Sequence, residues 1–400
     1  MYILPRKERG RDYNDCEIQN RREHPLERLV VDWKRRVPAG IIAFLLCFAA
    51  IGWTQVVENA AKPIAKNAGR IVTLKEELRI ADTGAGYFFK NPSSIRVSPR
   101  GDIFFRDGQE QALLFDPKGR FVRNLFEKGQ GPGELTSLTD TWVSPDRLYL
   151  RGNPAKILIF DFEGNLIKEL PLRGGTPAGR FIWADSANLL LSGPGRPDPS
   201  GGTGLRDVPW DIVAIAPDGT SQERIGSFSI SAFLEVEAGG SISWTSWNQL
   251  QVVALNGNSL FLNSSPEYLI ENFVRDKKAV VLRFRRPYAR QKRTGNGGIS
   301  SSRGSGPAAP EFWPDIYALH IVDGRLWVQT WTVTEEKGIL FDVFDAEGRY
   351  IDNFYLQSLI KNEDGKPARV RMTIAGGFAY FSEETSDGLI VIRKCRFVGL

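Results

Sequence analysis

Short apolar runs of period two, separated by turn residues, recur through the chain from about residue 70 to its C-terminal end. One hairpin phrase returns four times: Phe115-Asp116-Pro117-Lys118-Gly119, Phe160-Asp161-Phe162-Glu163-Gly164, Ile215-Ala216-Pro217-Asp218-Gly219 and Phe344-Asp345-Ala346-Glu347-Gly348. In each, an apolar strand end leads into the turn and the Gly supplies the left-handed backbone that a hairpin requires. These glycines stand 45, 55 and 129 residues apart, and a period of about 40–50 residues is that of a four-stranded propeller blade. The last interval therefore holds two units and an insertion.

Laying the strands out predicts an all-β, six-bladed propeller over residues 70–398. Blade one takes strands near 94–97, 102–105, 112–115 and 121–125, and blade two near 140–143, 147–150, 157–160 and 166–170. Blade three takes 181–183, 189–191, 211–215 and 222–225, with the Gly/Pro-rich stretch 193–204 read as a loop. Blade four, at 250–253, 259–262, 268–270 and 279–282, carries Arg275-Asp276-Lys277-Lys278 where the others carry the acidic-Gly turn. Blade five takes 316–320, 326–329, 340–344 and 350–354. Blade six offers only 369–374, 378–382 and 389–395, while 71–80 alternates with no partner ahead of blade one. That N-terminal strand is expected to complete blade six, which closes the ring and removes an open sheet edge.

Composition suits such a fold: 42% hydrophobic, 25% charged, 40 Gly and 23 Pro describe a turn-rich globular chain and argue against disorder. A net charge of +5 with dispersed Lys and Arg gives no nucleic-acid footprint. Ahead of the propeller, residues 1–36 form a basic leader ending in Lys34-Arg35-Arg36, and residues 37–57 form an uncharged apolar segment. This is read as a signal peptide or a single signal-anchor helix, with 58–69 as a linker. The propeller is then exported, periplasmic or extracellular, or anchored outside the cytoplasm. Cys16, Cys47 and Cys395 leave the exported part without an internal disulfide, and Cys395 is expected to be a buried strand residue.

The phrases Asn91-Pro92-Ser93-Ser94-Ile95-Arg96-Val97, Gly101-Asp102-Ile103-Phe104, Leu114 to Phe121 and Gly129-Gln130-Gly131-Pro132-Gly133-Glu134 resemble NHL-like, six-bladed β-propeller proteins exported by bacteria. Gly324-Arg325-Leu326-Trp327-Val328 with the turn at 345–348 is similar to the penultimate blade of that group. The resemblance covers roughly residues 70–398 and implies a fold but no reaction. The pattern departs in blades three and four, where Ala216 replaces the usual acid and the fourth turn has no Gly.

Candidate chemistry is limited by an absence. The chain has two His, and with His24 in the leader only His320 could serve the propeller, too few for a multi-His transition-metal site. No cofactor is expected; a Ca²⁺ site of carboxylates and carbonyls is the one metal the composition leaves open. Gly129-x-Gly131-x-Gly133 precedes no helix and reads as the crossover between blades one and two, not a phosphate loop. The turn acids Asp116, Asp161, Glu163, Asp218, Asp345 and Glu347 belong to separate outer hairpins, and Ser301 has neither a strand-to-helix elbow nor a partner His.

A basic insertion at 286–310, with Arg286, Arg290, Lys292, Arg293 and Arg303 among Gly, Ser and Pro, is expected to be a flexible arm able to meet an anionic partner. Strand phase places Arg106, Asp107, Arg151, Trp183, Trp244, His320 and Trp331 as candidate ligand contacts at the channel mouth. The expected role is a non-catalytic binding or scaffolding module for an unknown protein, glycan or small molecule. The competing readings are a channel-site hydrolase or lyase acting on a sugar, lactone or peptide-derived substrate, and a sensor domain held at the membrane by the N-terminal segment.

Overall fold

The computed structural model describes residues 56–81, 87–172, 179–195, 197–198, 200, 202–236, 242–246, 250–293, 310–357, 359–360 and 368–400. The leader, nearly all of the apolar segment, Ser301, Arg303, Trp247 and the Trp244 side chain lie outside them. Two strands precede the first blade, β1 (Val56–Glu58) and β2 (Arg70–Ala81). Blade one is β3 (Pro92–Val97), β4 (Ile103–Asp107), β5 (Gln111–Phe115) and β6 (Phe121–Asn124), and blade two is β7 (Ser137–Val143), β8 (Leu148–Asn153), β9 (Lys156–Phe160) and β10 (Leu166–Pro171). Blade three is β11 (Arg180–Ala184), β12 (Leu189–Pro194), β13 (Gly204–Ile215) and β14 (Gln222–Val236), extended by β15 (Ile242–Ser246). Blade four is β16 (Gln251–Ala254), β17 (Ser259–Asn263), β18 (Ile270–Val274) and β19 (Ala279–Arg285), and blade five is β20 (Ile316–Val322), β21 (Arg325–Thr334), β22 (Gly338–Phe344) and β23 (Tyr350–Leu356). Blade six has β24 (Thr373–Ala375), β25 (Phe378–Glu384) and β26 (Ile390–Val398), and its fourth strand is β2.

The chain is thus an all-β, six-bladed propeller closed as the alternation at 71–80 predicts. β2 pairs antiparallel with β26 from Thr73–Val398 to Ala81–Val391, and its first residues, Arg70 to Val72, pair parallel with β23. Arg70 fixes that junction with a forked contact to Asp352 at 3.0 and 2.9 Å. The inner strands β3, β7, β11, β16, β20 and β24 contact one another in sequence, and β24 returns to β3.

The core repeats this geometry. Among the described residues six apolar clusters form, and each draws its side chains from two adjacent blades. Phe104, Leu114, Leu150 and Leu158 fill the space between blades one and two, for instance, while Ile80, Phe105, Phe115 and Tyr380 fill that between six and one. A four-stranded sheet has two apolar faces, and only neighbours on both sides cover them.

The recurring turn glycine follows from the same packing. Gly119, at φ +76°, would place a Cβ 3.0–3.1 Å from Leu78 and Ile80 of the preceding blade's outer strand, and Gly348 would meet Phe284 in the same way. Both the left-handed backbone and the close approach exclude a side chain. Blade four solves the turn differently: Lys278 itself adopts φ +48° and reaches Glu223 of blade three.

Several expectations are corrected. Gly193, Pro194 and Gly204, read as loop, belong to β12 and β13, and blade three's outer hairpin runs on far beyond the blade to meet β15. Its pairing runs from Gly204–Leu234 to Ile215–Gln222 with one bulge after Ile212, so the Gly/Pro content concealed a long ladder. The segment read as a linker is docked instead: β1 pairs parallel with β19, and the backbone N–H groups of Ile64, Ala65 and Gly69 donate to carbonyls of β23. Val56 and Val57, taken as the end of the apolar segment, belong to β1. Finally, blade six's inner strand shrinks to Thr373–Ala375.

The fully enclosed polar groups include a buried carboxylate network between blades four and five. Asp342 has no exposure, and its carboxylate accepts from Tyr268 at 2.7 Å, Tyr350 at 2.6 Å and Arg286 Nε at 2.9 Å. Arg286 enters from the start of the basic insertion and lies among the rings of Tyr268, Tyr288 and Tyr350. Burial and the Asp342 charge push both tyrosine hydroxyls far above their ordinary range, so they remain donors.

Two outcomes are expected. Deleting residues 1–55 should leave the melting temperature within a few degrees, whereas deleting 1–81 should abolish the cooperative transition followed by circular dichroism; equal stability of the two would refute closure by β2. Asp342→Ala strands Arg286 in the core and should cost about 3–5 kcal/mol in denaturant unfolding, while a loss under about 1 kcal/mol would show the network to be dispensable.

Candidate ligand-binding site at the channel mouth

Each inner strand begins where the chain crosses from the previous blade, so the first residues of β3, β7, β11, β16, β20 and β24 share one end of the ring. Near that end, pairing shifts by a residue in β3 between Ser93 and Arg96, in β7 between Leu138 and Asp140, in β11 between Phe181 and Trp183, and in β20 between Ile316 and Ala318. Ser94 takes φ +53° at the first of these. Bulges of this kind re-aim side chains and bend the strand.

Arginines gather there around one carboxylate. Asp140 has no exposure, and its Oδ2 accepts from the backbone N–H of Phe181 at 2.7 Å, which joins blade two to blade three. Arg151 faces Asp140 across the β7–β8 register and donates to the Gly179 carbonyl. From blade one, Arg106 Nη2 donates to Ser93 Oγ at 3.0 Å, and Arg96 lies over the Trp142 ring at 4.5 Å. Arg180 opens β11, and Arg371 stands two residues before Thr373, whose hydroxyl donates to the Ile95 carbonyl of β3. Arg180 and Arg371 are exposed to solvent, whereas Arg96 and Arg106 are half-buried.

Burial lowers the pKa of Arg96 and Arg151, and desolvation by its neighbours lowers that of Arg180 although its surface reaches solvent; the Asp140 charge opposes the shift in all three. Arg180 is lowered further by the guanidinium groups of Arg371 and Arg106, and Arg96 by that of Arg180. The positive charges therefore sense one another across three blades. Nε of Arg96, Nε of Arg106 and Oδ1 of Asp140 are buried with no hydrogen-bond partner among the described residues.

Of the residues singled out from sequence, Arg106 and Arg151 join this cluster. Asp107 is buried beside it but fixes the crossover into blade one instead, accepting from the backbone of Lys90 and Asn91 and from Gln111 Nε2. Burial raises its pKa, and the two backbone N–H groups oppose the rise. Trp183 sits near the opposite end of its strand, bonded to Asp185 at 2.6 Å and packed 6.5 Å from Trp142. Trp244 contributes backbone to β15.

Trp331 stands apart with a different chemistry. Its ring stacks on Trp313 at 4.2 Å and 6°, and the pair is sandwiched between Arg293 at 3.9 Å and Arg369 at 4.2 Å. The basic insertion is anchored by such contacts: besides Arg286 on Asp342, Arg290 pairs with Asp315 at 3.0 Å and Lys292 with Glu311 at 3.0 Å. Residues 286–293 are therefore docked on blades four and five, contrary to a free arm from its first residue.

Sequence reasoning missed Arg96, Asp140, Arg180 and Arg371 as a set. The one usable signal was that each lies on or just before an inner strand. Elsewhere, an open groove of about 430 Å³ between blades three and four is lined by Asn188, Glu223, Arg275 and Lys278, whose charges pair locally. Among the described residues no group of three or more His, Cys, Asp or Glu could hold a metal ion, and no helix is long and apolar enough to cross a membrane.

His320 lies on the face of blade five turned toward blade six, 6.2 Å from the Phe341 ring, and is only 9% exposed. Burial pushes its pKa from 6.5 down to about 4, opposed by a hydrogen bond with Gln329. The unfolded chain thus binds the proton first, and the stability present above pH 6.5 is withdrawn as pH falls toward 4. At pH 5 the loss should be on the order of 2 kcal/mol. His320→Phe should flatten the difference in melting temperature between pH 7.5 and pH 5, and an unchanged difference would place the imidazole in contact with water.

Residues 82–174 match the family model described as a 6-bladed beta-propeller, DUF5128. No curated protein matches the chain. Among solved structures, a provisionally described exported protein of Bacteroides fragilis aligns at 11% identity and a TM-score of 0.48, over 86% of this chain and 100% of its own. BamB from Moraxella catarrhalis aligns at 9% identity and 0.39, over 84% and 96%. KlHsv2 with loop 6CD replaced by a Gly-Ser linker aligns at 15% identity and 0.38, over 78% and 87%. The part of the chain matched by the family model contains Arg96, Arg106, Asp140 and Arg151, four members of the cluster at the mouth.

Proposed function

We propose that the protein is an exported, non-catalytic binding propeller that takes its ligand at the channel mouth, against the wall built by blades one, two, three and six. The observation that carries this reading is the gathering of guanidinium groups from strands far apart in sequence: Arg151 faces Asp140, Arg180 opens β11 beside the Phe181–Asp140 bond, Arg96 shares the Asp140 charge, and Arg106 and Arg371 act on Arg180. Such a set costs charge repulsion and desolvation, which a purely structural wall would avoid with apolar residues. Binding rather than catalysis is supported by the state of the candidate acids and bases. Asp140 and Asp107 are held by backbone N–H groups, and His320 is packed between blades. Export is supported by the apolar segment 37–57 behind Lys34-Arg35-Arg36, and the NHL-like phrasing of blades one and five is in keeping with exported bacterial propellers of that kind.

A thermal-shift screen of a chemically mixed metabolite library against the full-length chain tests this. At least one compound should raise the melting temperature by a few degrees, and Arg180→Glu combined with Arg371→Glu should erase that response while Lys278→Glu, on the far side of the ring's outer edge, preserves it. If every hit responds equally in both variants, the mouth is not the binding site.

A further inference from the structure

The side chains at the mouth also specify what kind of ligand would be held there. Among the described residues, the cations acting on Arg96 and Arg180 are all arginines, with no lysine among them. A guanidinium presents a planar fork of donors matched to two oxygens of one anion, whereas an ammonium acts as a point charge. Among the described residues, the carboxylate acting on Arg96, Arg151 and Arg180 alike is Asp140, already engaged by Phe181. Among the described residues, one carboxylate thus stands against several guanidinium groups there.

The arrangement has depth as well as charge. Arg106 stands opposite Ser93 near the start of β3, Arg180 opens β11 beside the Phe181–Asp140 bond, and Arg371 lies two residues before Thr373, so blades one, three and six each bring a guanidinium to the crossover end; Arg96 lies further along β3, backed by the Trp142 ring at 4.5 Å. Trp142 is itself pinned by a 3.1 Å bond from its Nε1 to the Ala184 carbonyl, so that the rearmost guanidinium rests on a fixed platform. Buried Nε groups on Arg96 and Arg106 have no hydrogen-bond partner among the described residues, which leaves donor capacity unused there.

We infer that the mouth binds an oxyanion group, a carboxylate or a phosphate, gripped by the forks of Arg106, Arg180 and Arg371 with Arg96 behind them; this rests on the reading of the mouth as the binding site. The group enters from the crossover end of the ring. Its negative charge relieves the mutual repulsion of the arginines, so binding tightens as ionic strength falls.

The test is calorimetric titration of the full-length chain, in phosphate-free buffer at low salt, with inorganic phosphate in one arm, citrate in another and glucose as the neutral control. Saturable binding of phosphate or citrate is expected, weakening at least tenfold in Arg180→Gln/Arg371→Gln and falling steeply with added sodium chloride; the arm that binds more tightly identifies the anion. Arg180→Lys keeps the charge and loses the fork, so it should bind several-fold more weakly than the parent while melting at the same temperature. Absence of binding by both anions up to millimolar concentration, or binding equal in parent and double Gln variant, overturns the inference. A neutral compound from the library screen that binds in an Arg180-dependent way, with neither anion binding, would overturn the oxyanion assignment yet leave the mouth as the site. If no compound of any charge depends on the mouth, both readings fall.

Discussion

Every blade of this molecule depends on a surface supplied by another. A four-stranded sheet of this composition has two apolar faces and no means of covering either, so each of the six clusters is shared between neighbouring blades. The outer turn of one blade then seats on the outer strand of the one before, as Gly348 does on Phe284. These contacts have no natural end except a ring. β2 provides it by lying in the last sheet and touching the one before, and the Arg70–Asp352 fork locks that step.

What was legible in the sequence was what repeats. Alternation, the acidic-Gly turn and the orphan strand at 71–80 all express one local rule per blade, and a rule used several times can be read without coordinates. The extended hairpin of blade three escaped because Gly204 and Pro209 interrupt its alternation while the backbone ladder continues through them. Asp342 and Arg286 escaped for another reason. Their pairing joins neighbouring blades across 56 residues, and neither residue is unusual where it stands.

The mouth was the hardest part to read because it departs from the rule that made the blades readable. Strand phase assumes period two, yet β3, β7, β11 and β20 each shift register near the crossover end of the ring. Arg106 and Arg151 were found because they sit at the ends of regular second strands. Arg180 and Arg371 gain their meaning from each other and from Asp140, a relation that exists only once blades three and six are brought around the same axis. The result is a mouth with two chemistries, guanidinium groups on one side and the stacked Trp313–Trp331 pair on blade five.

The sharing of β2 between the last two blades also sets an order of events. Blades one to five are built from strands close together in sequence and can form as the chain emerges, but Leu74 must wait for Phe397. Contacts of such long sequence separation form late, because the entropy of closing the loop precedes any gain from it. Until the final residues are available, β2 and the outer edge of β23 present open backbone to any passing strand. A protein crossing a membrane as an extended chain would meet that interval after translocation, and its yield there would be governed by how fast two ends find each other rather than by how stable the finished ring is.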